Sequence, residues 1–154
     1  MSLQSKDYLT ESGKGIYAAM AAIQRDFPAV TKEGINPSQK YKFRGIDDAL
    51  KALNPLLSKH GVFMVAQDLK VSISDTGAKT SNGTPMFRSI LTGTVIWYHL
   101  DGSSIESSIV GEGIDMGDKG TMKAHANALK YLCWYTFAVP TESEKKDSES
   151  FADG

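Results

Sequence analysis

Three glycines begin the segment that carries the most chemically useful residues, GEGIDMGDKGTMKAHANALKYL at residues 111–132. A glycine-rich turn before a helix can hold a phosphate, because small residues and free N–H groups let an anion approach the backbone. A Walker loop requires a lysine directly after its second glycine, but here an acidic residue intervenes. A dinucleotide loop requires G-x-G-x-x-G, whereas Gly111, Gly113 and Gly117 are spaced as G-x-G-x-x-x-G. We therefore do not expect this segment to bind a nucleotide.

Acidic side chains in the same segment suggest a second chemistry. Glu112, Asp115 and Asp118 could form a carboxylate cluster for Mg²⁺, as a nuclease requires. The simpler interpretation is that Asp115 or Asp118 caps the following helix and that Glu112 is solvated. We expect neither a metal nor a cofactor, and a metal-dependent nuclease that uses Asp115 and Asp118 remains the alternative.

Three lysines lie at regular intervals on the alanine-rich helix predicted after the glycines. At about 100° per residue, Lys119, Lys123 and Lys130 fall within about 40° of one another. A solvated lysine face normally alternates with glutamates, but no acidic residue occurs between Lys119 and Thr141. The N-terminal end of the helix adds a positive dipole and free N–H donors. This pattern suits a polyanion, with a merely solvated lysine face as the alternative.

A second basic segment, KYKFRG, combines cations with aromatic residues. If it is extended, Lys40, Lys42 and Arg44 project to one side and the two rings between them to the other. Cations for phosphates and rings for bases are the components of a single-strand binding surface. The alternative is an edge segment whose rings anchor it in the core. Arg88, on a predicted strand, is a weaker candidate for a backbone contact.

Hydrophobic periodicity predicts the elements that position these residues. Helices are expected at about Ser12–Arg25, from Ile46 to His60 with a kink or break at Pro55, and at about Lys119–Trp134. Between them, three strand-like segments are separated by KTSNGTP and by the Asp101–Gly102 turn. The predicted fold is α+β, a three-stranded antiparallel meander packed by helices in the order α-α-β-β-β-α.

Length and charge set the wider limits. The 154 residues favour one domain. The chain has a single cysteine, and its sequence shows no apolar signal core and no apolar run of membrane length. These features together indicate a reducing cytoplasm. The net charge is −1, but residues 141–154 hold five acids and two bases, so the remaining chain is close to +2. We predict a flexible arm at residues 1–11, a folded domain at 12–140 and a disordered acidic tail at 141–154.

The motifs together resemble a known family. YKFRGIDDALKALNPLLSKHG, a strand meander with a DG turn, and GEGIDMGDKGTMKAHANALKYL are similar to the ERF family of phage-type single-strand DNA annealing proteins, over roughly residues 10–140. The resemblance implies a β-sheet backed by helices, subunits assembled into rings or filaments, and ATP-independent annealing of complementary strands in homologous recombination. It also implies the cytoplasm of a bacterial host.

The resemblance assigns roles to particular residues. In distant relatives, the eukaryotic recombination annealing domains, the lysine of the A-L-K stretch lies in the DNA groove, which implies the same for Lys130. The assignment of Lys119 and Lys123 to this groove is looser. Tyr131 stands where relatives have a second basic residue after this lysine. It therefore either stacks on DNA or belongs to the core. Close approach of the DNA backbone at the three glycines is a further expectation.

The implied partners are single-stranded DNA and other copies of the chain. The acidic tail is a candidate contact for a single-strand DNA-binding protein or a recombination nuclease. A non-DNA oligomeric interaction protein, whose lysine face is only solvated, is the remaining alternative.

Overall fold

The computed structural model describes residues 15–28 and 46–139. Its elements are α1 (Gly15–Asp26), α2 (Ile46–His60), β1 (Val62–Lys79), β2 (Pro85–His99), β3 (Ser104–Asp115) and α3 (Gly120–Thr136). The predicted α+β class and the α-α-β-β-β-α order are confirmed. No helix within these ranges is long and apolar enough to cross a membrane. The predicted arm, the basic segment with Lys40, Lys42 and Arg44, and the acidic tail lie outside the described residues.

The three strands form one antiparallel sheet in the order β1-β2-β3. β2 pairs with β3 in an unbroken register, from Phe87 opposite Asp115 to Tyr98 opposite Ser104. The β1–β2 register shifts between Gln67 and Lys70, which indicates a bulge. β1 and β3 are the sheet edges, and neither outer edge has a partner strand in the part of the chain that the structure describes.

All three helices pack on one face of this sheet. Side chains alternate between the faces of a strand, so Leu91, Val95 and Trp97 of β2 point to the same side, and each is at most 1% exposed. The apolar stripe of α1, formed by Ile16, Met20 and Ile23, is buried in the same core cluster. Trp97 is therefore a core residue and not a platform for a base.

α2 continues through Pro55, so of the predicted kink or break, the break is wrong. Proline removes one backbone donor and so leaves the carbonyl of Lys51, one turn earlier, without its helical bond. Both Pro55 and Lys51 are exposed, and water can satisfy that carbonyl. The burial of Ala52 and Leu53 on the other side of the helix holds α2 against the core.

The distal half of β1 is largely uncovered. Leu69, Val71 and Ile73 alternate with polar residues along the strand, yet their exposed fractions are 43%, 40% and 63%. Val71 and Ile73 are paired with Leu91 and Ser89, so they lie on the helix-bearing face but beyond the part that the helices cover. An exposed apolar edge of this length can pair with another strand.

The turn between β2 and β3 fastens the beginning of α1. Asp101 Oδ2 accepts the Gly15 N–H at 2.8 Å, and Ser103 Oγ accepts the Ile16 N–H at 3.0 Å. Ser103 also donates its hydroxyl and its backbone N–H to Asp101. These bonds, with the Ser103 hydroxyl foremost, hold the pKa of Asp101 well below its usual range.

Candidate nucleic-acid interface

Two of the three glycines do not lie in a loop. Gly111 and Gly113 belong to β3 and are buried beneath α3, so the predicted glycine loop is wrong at these positions. A Cβ atom on Gly111 would lie 2.2 Å from the Ala124 carbonyl oxygen, and one on Gly113 would lie 2.4 Å from the Gly120 oxygen. The two glycines therefore let α3 pack directly on the strand.

Gly117 does lie in the turn between β3 and α3, where Asp115 organises the backbone. Asp115 Oδ2 accepts the N–H groups of Gly117 at 2.9 Å and of Lys119 at 3.3 Å. The helix itself begins with Lys119 as its N-cap residue, which has no side-chain capping bond. The expectation that Asp115 or Asp118 caps the helix is therefore wrong, because Asp115 binds the preceding turn instead.

Lys123 is engaged with the same aspartate. Its Nζ donates to Asp115 Oδ1 at 2.9 Å and to the Ile114 carbonyl oxygen at 3.1 Å. This bond to Lys123, followed by the Gly117 N–H, holds the pKa of Asp115 below its usual range. One turn later, Asn127 donates to the Glu112 carbonyl oxygen at 2.7 Å. Lys123 and Asn127 thus cover part of the outer edge of β3.

The lysine face of α3 is oriented as the sequence predicts. Lys119 and Lys123 are exposed and Lys130 is partly exposed, while Ala124 and Ala128 are buried on the opposite side. α3 contains no acidic residue. Asp115, at the end of β3, contacts Lys123 of this lysine face. The face is therefore less uniformly cationic than the sequence of the helix alone suggests.

Tyr131 is half exposed, at 46%, and is not a core residue. The Lys130 ammonium lies 5.3 Å from the centre of its ring, within reach of a cation–π interaction. Tyr135, which the sequence analysis missed, is 75% exposed and stacks on Tyr131, with ring centres 6.1 Å apart and planes 19° from parallel. Their spacing of four residues on one helix is the signal that could have identified the pair.

Two open grooves run between β3 and α3 and meet at Tyr131. One, of about 560 Å³, is lined near the N-terminal half of α3 by Glu112, Lys123 and Asn127. The other, of about 300 Å³, is lined near the C-terminal half by Ser107, Leu132 and Tyr135, among others. Because Tyr131 lines both, the grooves form a path along this side of the molecule.

Arg88 is not part of this path. Its Nε donates to Glu112 Oε1 at 2.7 Å, an ion pair between β2 and β3. Arg88 neighbours the buried Ser89 on the strand, so it projects from the sheet face opposite to the helices. Glu112 is exposed, as expected, and is also paired with Arg88.

The acidic residues are not gathered as a metal site requires. Within residues 15–28 and 46–139, no group of three histidine, cysteine or carboxylate side chains is placed to hold a metal ion. A metal at Asp115 would have to displace the Lys123 ammonium. Cys133 is buried, and burial raises the pKa of its thiol to about 12, so it is a poor ligand or nucleophile.

Comparison with known proteins agrees with the sequence motifs. A family model described as the ERF superfamily matches residues 16–152, which is most of the chain. A search of curated proteins finds no match.

Proposed function

We propose, since the chain belongs to the ERF superfamily, that it binds single-stranded DNA and anneals complementary strands without ATP during phage-type homologous recombination. The observation that carries this proposal is α3, an acid-free helix that exposes lysines beside an open groove. Its N-terminal end adds a positive dipole, which favours phosphate. The proposed setting is the cytoplasm of a bacterial host.

Phosphate contacts would come mainly from Lys119 and Lys130. Neither side chain has an ion-pair partner among the described acidic residues, whereas Lys123 is held by Asp115. A phosphate reaching Lys123 must compete with that carboxylate. Lysine contacts supply sequence-independent affinity that weakens with salt, and specificity then comes from Watson–Crick pairing between strands. Lys40, Lys42 and Arg44 remain proposed DNA contacts, and Arg88 is a weaker candidate because Glu112 neutralises it.

Assembly into an oligomer is part of the proposal. One protomer contributes few cations, so useful affinity requires many protomers along one strand. The uncovered β1 edge, with its exposed Leu69, Val71 and Ile73, offers a surface for contact with another copy. A single-strand DNA-binding protein or a recombination nuclease is a proposed further partner.

The test is fluorescence anisotropy of labelled single-stranded DNA across a salt series. Replacing both Lys119 and Lys130 by alanine should remove two phosphate contacts and reduce the slope of log affinity against log salt by about 1.4. Lys79→Ala, which removes a cation at the far end of β1, is the matched control and should leave the slope unchanged. Lys123 is left intact because its loss would also disturb the β3–α3 junction.

Annealing is measured with complementary oligonucleotides in EDTA and without ATP. Wild type should accelerate pairing, and the double variant should do so less. Cleavage of single-stranded DNA on addition of Mg²⁺ would favour the nuclease alternative. A folded oligomer that binds no DNA at low salt would refute the proposal and favour an interaction protein.

A further inference from the structure

The exposed pair Tyr131 and Tyr135 is not explained by packing. The pairs Phe27 with Phe137 and Trp97 with Phe137 lie in the core, and Phe63, which stacks on Tyr98 of the neighbouring strand, is 49% exposed. Tyr131 and Tyr135 instead stack on each other at the surface, with 46% and 75% of their areas exposed. Aromatic rings left in water next to a groove are typical of a binding surface.

The two ends of α3 differ in the ligand groups they favour. The N-terminal end, with Lys119, carries the positive end of the helix dipole and favours phosphate. The C-terminal turn has no basic residue and carries the negative end of the dipole, which disfavours phosphate. Tyr135 lies in this last turn, so any part of a nucleic acid that contacts it there should be uncharged. In a DNA strand, those parts are the bases and the sugars.

From these observations we propose that Tyr131 and Tyr135 form a stacking platform for the bases of single-stranded DNA. This inference rests on the proposed DNA binding and names the part of the ligand that reaches the C-terminal half of α3. Aromatic rings bind bases through their faces, irrespective of sequence. The Watson–Crick edge of a stacked base stays free, so the base can still be tested against a complementary strand.

Lys130 connects the platform to the backbone contacts. Its ammonium lies 5.3 Å from the centre of the Tyr131 ring, at the edge of the proposed platform. The groove from Lys123 to Tyr131 continues to Tyr135 along the edge of β3. At 1.5 Å per residue, the distance from Lys123 to Tyr135 along α3 is about 18 Å. A strand following this path would place phosphates near the lysines and bases over the tyrosines.

The experiment separates stacking from charge. Wild type, Tyr131→Ala, Tyr135→Ala and Tyr135→Phe are titrated with an oligonucleotide that contains 2-aminopurine, whose fluorescence falls on stacking, across a salt series. Each alanine variant should bind about tenfold more weakly, with its salt slope unchanged. Tyr135→Phe, which keeps the ring, should bind as wild type does. Tyr17→Ala, which removes an exposed ring from α1, is the matched control.

A second readout locates the contact directly. An oligonucleotide with 5-iodouracil, photo-cross-linked to wild type and mapped by mass spectrometry, should attach to the peptide that contains Tyr131 and Tyr135. The platform is refuted if both alanine variants bind DNA with the affinity of wild type and the cross-links lie in other peptides. If the salt slope still depends on the lysines in that case, the proposed function stands. Absence of DNA binding by wild type would overturn both.

A partner protein is the rival occupant of the tyrosines. If the alanine variants change the sedimentation of the DNA-free protein while DNA affinity per protomer stays constant, the rings belong to a protein interface and the platform is refuted. Unchanged sedimentation with weakened DNA binding supports the platform. Circular dichroism of each variant ensures that the comparison is made between folded proteins.

Discussion

Replacing Gly111 or Gly113 by alanine should destabilise the protein by forcing α3 away from β3. At Gly111 the new Cβ would lie 2.2 Å from the Ala124 oxygen and 2.5 Å from the Ala128 nitrogen. Normal contact begins near 3.4 Å, so the helix must recede by about 1.2 Å. Overpacking costs about 1–3 kcal/mol, and the upper part of that range applies because the opposing atoms are backbone. We therefore expect a loss of about 3 kcal/mol in the free energy of unfolding.

Thermal unfolding followed by circular dichroism measures this loss. For a chain of this size, about 3 kcal/mol corresponds to a fall of about 6–12 °C in Tm. Gly117→Ala is the matched control, because the nearest atom to its new Cβ, Asp115 Oδ2, is 3.5 Å away. That control should stay within about 2 °C of wild type. Gly111→Ala and Gly113→Ala both displace α3, so their effects should not add in the double variant.

The opposite result is equally informative. If Gly113→Ala unfolded at the same temperature as wild type but bound DNA weakly, the glycine would serve the close approach of the DNA backbone, and the packing argument would be refuted. Weaker DNA binding that appears only together with a lower Tm is expected, because α3 carries the proposed contacts.

Two further predictions concern aspartates at the turns. Asp115→Asn should strengthen DNA binding by about two- to fivefold, because Lys123 loses its ion-pair partner. Asp118→Asn is the control for net charge, and an equal gain in that variant would show only a general charge effect. Asp101→Ala should lower the free energy of unfolding by about 1 kcal/mol at pH 7, because the Gly15 N–H at the beginning of α1 loses its acceptor. The folded state holds the pKa of Asp101 below its usual range, so this contribution to stability is present above about pH 4 and is lost as the pH falls further. The free energies of unfolding of wild type and variant, measured with denaturant, should therefore converge in acid. A difference that stayed constant down to about pH 2 would contradict the assignment.

The elements of the fold could be predicted from local patterns, because amphipathic helices and an alternating meander leave clear periodicities. The same local view misassigned Gly111 and Gly113. Their spacing of two residues places both on one face of a strand, and Ala124 and Ala128, four residues apart, form the matching small face of α3. The close packing of α3 on β3 could be identified only by matching the two-residue spacing of the glycines on the strand with the four-residue spacing of the alanines on the helix.

The candidate site was predicted in part. The orientation of the lysine stripe followed from helical geometry, but the partner of Lys123 lies eight residues earlier, beyond the helix, where no spacing rule applies. Tyr135 lies beyond the A-L-K-Y motif that carries the family resemblance, and only its helical spacing connects it to Tyr131. Pairing of Arg88 with Glu112 depends on the β2–β3 register, which the sequence did not specify.

The bonds between Asp101, Ser103 and the beginning of α1 join positions 86 and 87 residues apart in the chain. During synthesis at about 5–20 residues per second, the acceptors for α1 are made about 4–17 s after the helix itself. For most of that interval the apolar stripe of Ile16, Met20 and Ile23 lacks the sheet face that later buries it, because the buried residues of β2 are made only near its end. The first described helix is therefore among the last to be secured, and a nascent chain paused before residue 101 would expose it to chaperones.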